Sequence, residues 1–142
     1  MDVKGFIYAA KMTNALAKEI PESSWDTPLI RELGTLRKLF IHIIRVRNVY
    51  RNGLETGVVQ FPGELPSSEN IKEALEKSME ELATAFLSTE GTHIKMAEEE
   101  LSIAELLATA IQHEGIHQGQ YYVALKQKGM YIPDSWKKDW GM

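Results

Sequence analysis

At 142 residues, 44% hydrophobic and 25% charged, the chain has the composition of an ordinary globular protein and the length of a single domain, 1–142. It contains no cysteine, which excludes disulfides, thiolate metal ligands and a cysteine nucleophile. The net charge of −4 arises from bases scattered among acids, so there is no basic stripe for nucleic acid; no apolar run is long enough for a membrane span or a signal peptide, and a cytoplasmic protein is expected.

Four helices are predicted, giving an all-α four-helix bundle. The first runs from Val3 to Glu19, with Phe6, Ile7, Ala10, Met12, Leu16 and Ile20 at helical spacing, and Pro21 ends it. A short connection, Glu22 to Thr27, carries Trp25. The second helix is expected from Pro28, capped by Thr27, to Arg51, with Asn52-Gly53 as its stop. Its apolar residues form two adjacent stripes, Leu36, Phe40, Ile43 and Leu39, Val46, Val49, so it contacts more than one neighbour. The connection from Leu54 to Pro66 holds Gly57, Pro62 and Gly63. It is long for a bundle, which suggests a crossover or a loop with its own task.

The third helix is read from Ser67 or Ser68 to Ser88, on the stripe Ile71, Leu75, Met79, Leu82, Phe86. The fourth starts at Ser102, where Ser102-Ile103-Ala104-Glu105 fits a capping box, and ends at Lys128 before Gly129. The tail, with Tyr131, Pro133, Trp136 and Trp140, is expected to pack on the bundle through its aromatics.

His113 and His117 lie four residues apart, on one face of the fourth helix, in the stripe Leu106, Ala110, His113, His117, Tyr121. His42 falls in the stripe Thr35, Leu39, His42, Val46, Val49 of the second helix. All three are therefore expected to point inward. A single histidine on an apolar face is usually a core residue with a hydrogen-bonded ring nitrogen. Three together are harder to accommodate, because each buried nitrogen left unpartnered costs roughly 1–3 kcal/mol. A divalent cation meets three of those demands at once, and facing helices are a usual place to build such a site. Three neutral imidazoles suit an open zinc site, and all-nitrogen ligation also suits nickel, copper and iron. His93, beside Gly91 and Lys95 in the connection before the fourth helix, is read as exposed and outside the site.

His113-Glu114-Gly115-Ile116-His117 also matches H-E-x-x-H, in which Glu114 would be the general base of a zinc hydrolase. The longer form of that motif needs glycine at Gln120 and histidine at Val123, and no histidine follows His117. The hydrolase reading is therefore the minor alternative.

The chain resembles the DinB-like (DNA-damage-inducible, YfiT-type) family of metalloenzymes over nearly its full length. The matching residues are Trp25, Pro28 and Leu33 leading to Ile41-His42-Ile43, then Gln112 to Gln120 around the histidine pair, then Gly129 and the ending Ile132 to Gly141. The resemblance implies a four-helix bundle, metal ligands at His42, His113 and His117, and often a homodimer. Many relatives carry arginine where this chain has Gln118. Some members resemble transferases that use a low-molecular-weight thiol and others hydrolases or isomerases. The leading expectation is thus a metal-dependent enzyme, of thiol-dependent transferase or hydrolase type, acting on a small molecule. Glu114, Gln120, Tyr121 and Asn48 are candidates for proton transfer or substrate contact. A metal-binding or dimerising protein without turnover, and a plain bundle with core histidines, are the alternatives.

Overall fold

The computed structural model describes residues 1–141 and is mostly helical. In chain order it contains α1 (Lys4–Glu19), a 3-10 turn (Glu22–Ser24), α2 (Leu36–Thr56), β1 (Val58–Val59), α3 (Ile71–Ser88), β2 (His93–Met96), β3 (Glu99–Ser102), α4 (Ile103–Gln127) and α5 (Asp134–Trp140). The four long helices pack on one another, α2 against α3 and α4, and α1 against α3 and α4. Among the described residues no helix is long and apolar enough to cross a membrane.

The second helix starts eight residues later than Pro28 suggests. Residues 28–34 fold into a turn in which the Leu29 amide donates to the Gly34 carbonyl, with Gly34 at φ +82°. Thr35 is the true cap, its hydroxyl accepting from the Lys38 amide at 3.2 Å. The far end also differs, since the helix continues through Asn52-Gly53 to Thr56 and ends at Gly57, φ +89°. Gly53 is no stop. It is small because the side chain of Val59, in β1, occupies the place of a Cβ there. The third helix likewise begins later, at Ile71, after Asn70 in the left-handed region.

A three-stranded sheet stands where the sequence predicts only loops. β1 pairs in parallel with β2, Val58 opposite Lys95, and β2 pairs antiparallel with β3, His93 opposite Ser102. Strands this short bury at most one residue each, Val59 in β1 and Ile94 in β2, and so leave little alternation to read. The capping box of α4 is formed: Ser102 Oγ accepts from the Glu105 amide and Glu105 Oε2 from the Ser102 amide. In α5, Trp136 is buried and its indole donates to the Met12 carbonyl at 2.7 Å.

The core divides into two apolar clusters. One contains Met12, Leu16, Trp25, Phe40, Ile43, Leu75, Tyr121 and Trp136, and the other Phe6, Ala10, Val46, Tyr50, Met79, Leu82, Phe86 and Leu106. Each long helix carries a buried polar residue near the change from one cluster to the other: Asn14, Arg47, Ser78 and Glu114. Arg47 joins all four helices. Its Nε and Nη2 grip both Glu114 oxygens, at 3.1 and 2.7 Å. Nη1 donates to the Leu75 carbonyl, Ser78 Oγ and Asn14 Oδ1, and Nη2 also reaches the Ala10 carbonyl. Every nitrogen of the guanidinium is therefore satisfied, as a buried charge requires.

Candidate metal centre

α2 supplies His42 and α4 supplies His113 and His117. Leu39 and Val46 flank His42 on its stripe and are buried, as are Ala110 and Tyr121 on the other. At the histidines themselves the stripes open to solvent: His42 is exposed and the other two are half-buried. The inward orientation expected of all three is thus corrected. They line the inner end of a cleft, where an imidazole needs no partner on its solvent side.

The three Nε2 atoms form a triangle with every edge 3.1 Å. Such a triangle cannot be closed by hydrogen bonds, because each Nε2 carries either one hydrogen or one lone pair, and all three aim at a common point. Three lone pairs meeting there favour a cation. The centre of the triangle lies about 1.8 Å from each nitrogen, so a cation at the roughly 2.0–2.1 Å of a metal–imidazole bond fits just off the plane. The donor set therefore fits a divalent metal ion, with the positions facing the cleft left open.

Two features keep the nitrogens ready for that role. His117 Nδ1 lies 3.0 Å from Gln120 Oε1, which accepts its proton and leaves the lone pair on Nε2. Desolvation, reinforced by the neighbouring His117 and His42 and by Arg47, pushes the His113 imidazole down to about 3. His42 is also held below its ordinary range, first by desolvation and then by His117 and Arg45, with Glu114 pulling the other way.

The other sequence candidates are dispersed. Glu114, next to His113, turns away into the core, where Arg47 occupies both its oxygens. Tyr121 is buried with its hydroxyl donating to the Leu33 carbonyl, and burial pushes its phenol up to about 12. Asn48 is half-buried, with no side-chain hydrogen bond among the described residues. His93 is exposed, on β2 rather than in a loop. Gln118 is buried and donates to the Ala9 carbonyl and Thr13 Oγ1, tying α4 to α1. Of the residues named from sequence, only Gln120 touches the triad.

Sequence reasoning misses the cavity wall. A cavity of about 410 Å³ opens on the triad and is completed by Arg45, Val46, Tyr50, Phe61 and Pro62. The long connection after α2 supplies its roof: Arg45 Nε and Nη2 hold the Gly63 carbonyl at 3.1 and 2.7 Å. Gly63 is at φ +74°, and Val49 fills the place of any Cβ there, so only glycine sits comfortably. A larger groove, about 1030 Å³, runs between α2, α3 and β2, past Arg51, Glu80, Glu81, Glu90 and His93. It is bigger, but the group of side chains among the described residues that could hold a metal ion opens on the smaller cavity.

The sequence matches the DinB family over residues 3–135, and the chain belongs to that family. Its fold is similar to that of a DinB-like protein, YjoA, from Bacillus subtilis, solved by crystallography. The two are 17% identical, with a TM-score of 0.71 over 92% of this chain and 94% of that one. Comparison with curated proteins finds no match.

Proposed function

We propose that this DinB-family chain is a divalent-metal-dependent enzyme acting on a small molecule, with His42, His113 and His117 as ligands. The observation that carries the reading is the Nε2 triangle, three imidazole nitrogens brought together beside a cavity. Zinc or nickel suits three imidazoles best, and iron and copper are also compatible. When bound, such a metal lowers the pKa of a coordinated water or thiol, giving a nucleophile near neutral pH. Because the chain lacks cysteine, a transferase would use an external low-molecular-weight thiol, and a hydrolase would use water.

Within this reading Gln120 is a positioning residue, fixing the tautomer and orientation of His117. Glu114 and Tyr121 hold the fold, since their polar atoms are engaged by Arg47 and Leu33. The four long helices are read as a four-helix bundle forming one cytoplasmic domain. Ile116 and Val123, both about half exposed and two turns apart on α4, are the apolar face through which a homodimer would form.

The test is metal analysis of protein purified without a histidine tag. About one metal ion per chain is expected. His42→Ala, His113→Ala and His117→Ala should each lower affinity by orders of magnitude, while His93→Ala should not. Full stoichiometry in His42→Ala would remove the site that joins the two helices. A metal-binding protein without turnover is the second reading, and the cavity on the open side of the triad favours the enzyme.

A further inference from the structure

The cavity beside the triad carries two polar groups that the protein itself does not satisfy. The first is Arg45, three residues after His42 on α2. Its Nε and Nη2 are engaged with the Gly63 carbonyl, so the position of the guanidinium is fixed, while Nη1 makes no hydrogen bond among the described residues. Arg37, Arg47 and Arg51 each pair with a carboxylate, but Arg45 forms no ion pair among the described residues. A half-buried guanidinium on a cavity wall without a counter-charge is a ready receptor for an anion.

The second is Tyr50. It is only 5% exposed, yet its hydroxyl has no hydrogen-bond partner among the described residues. The hydroxyl is not sealed off either, because the one side-chain atom that is both enclosed and unpartnered among the described residues is Ser135 Oγ. Tyr50 is also one of the residues that line the cavity. A phenol titrates near about 10, so at neutral pH it offers a proton to an acceptor. The remaining wall is apolar and flat: Val46, Pro62, and Phe61 packed edge-on to Tyr50 at 6.1 Å.

We propose that this cavity binds a small, flat, apolar molecule bearing one anionic group, the anion received by Arg45 Nη1 and the Tyr50 hydroxyl beside the histidine triad. The apolar body lies against Phe61, Pro62 and Val46. The cavity, about 410 Å³, is at the small end of ligand sites and suits a single-ring compound. This inference rests on the metal reading above for what happens to the ligand, but not for its binding.

The experiment uses the full chain, with and without cobalt(II), titrated with benzoate, with its cationic analogue benzamidine, and with acetate. Binding is followed by the visible bands of cobalt and by amide NMR shifts of residues 45–63. Benzoate should shift both signals, with benzamidine and acetate each at least about tenfold weaker. Arg45→Met should weaken benzoate by about 10–100-fold, and Tyr50→Phe by about 3–10-fold, with cobalt content unchanged in both. Equal affinity for benzamidine and benzoate in the unmodified protein would overturn the proposal. So would an Arg45→Met variant that keeps its cobalt and binds benzoate within about twofold of the parent. If the protein takes up no cobalt while benzoate still shifts the amides, the metal reading fails and the pocket stands. Full cobalt uptake without a benzoate response sinks the pocket and leaves the metal.

Discussion

Glu114→Gln removes one charge from the core at nearly constant shape, and the structure sets the size of the effect. Arg47 and Glu114 are both 1% exposed, and this carboxylate is the one in ion-pair contact with the guanidinium among the described residues. Glutamine keeps one acceptor for Arg47 but leaves its charge uncompensated. Breaking a buried pair in this way costs about 3–5 kcal/mol. For a domain of this length each kcal/mol is worth about 2–4 °C, so the melting temperature should fall by on the order of 10 °C. Urea denaturation of the metal-free protein at pH 7.5 should give the same loss, with an unchanged slope. Metal content should stay at the parental level, since neither carboxylate oxygen faces the triad. The double variant Arg47→Met/Glu114→Met should be less damaged than Glu114→Gln alone, because it leaves no bare charge. A cost below about 1 kcal/mol would refute the core role assigned to the pair. Loss of metal at unchanged stability would instead return Glu114 to the metal chemistry.

Gln120→Ala removes the acceptor for His117 Nδ1 and should weaken metal binding by about 10–100-fold without changing the melting temperature of the metal-free protein, as a chelator competition would read. The metal-free fold should lose stability as pH falls from 6.5 toward about 3: His113 and His42 are held below the unfolded value, so the unfolded chain takes up protons that the native site refuses. Thermal melts in chelator across that range should show a steeper loss for the parent than for His113→Gln, and parallel curves would contradict the assignment. Ile116→Glu with Val123→Glu should convert a dimer into monomer by light scattering at unchanged helicity; a dimer surviving both changes lies on another face.

The sequence was informative where a periodic signal is long or a motif local. The stripe of α3 and the capping box of α4 are where the spacing of Ile71, Leu75, Met79, Leu82 and Phe86 and the pair Ser102 and Glu105 put them. The triad was legible because His113 and His117 are neighbours by helix geometry and His42 shares a stripe with Leu39 and Val46. The start of α2 was misplaced because Pro28 and Thr27 carry cap chemistry of their own, while the signal at Gly34-Thr35 was absorbed into an apolar stripe. Gly53 misled because glycine serves equally as a stop and as room for a neighbour, and only the approach of Val59 tells the two apart. The cavity was out of reach for a different reason. Arg45 and Tyr50 look like ordinary helix residues until Phe61, Pro62 and Gly63 fold over them.

The H-E-x-x-H match gains a physical meaning different from the hydrolase one. Successive residues on a helix point about 100° apart, so His113 and Glu114 face different neighbours. His113 faces the cleft and Glu114 faces the interior, where Arg47 grips it from α2. That grip fixes the rotation of α4 about its axis relative to α2. The same two helices carry the triad, His42 lying five residues before Arg47 and His113 one before Glu114. A rotation of α4 that moved Nε2 of His113 or His117 off the common point would also pull Glu114 from a fully desolvated guanidinium. The ion pair and the triad are thus two separate contacts between the same two helices, one in the core and one at the cleft. The glutamate next to the first histidine has both carboxylate oxygens engaged by Arg47 rather than by the triad, so its replacement is expected to cost stability and not metal.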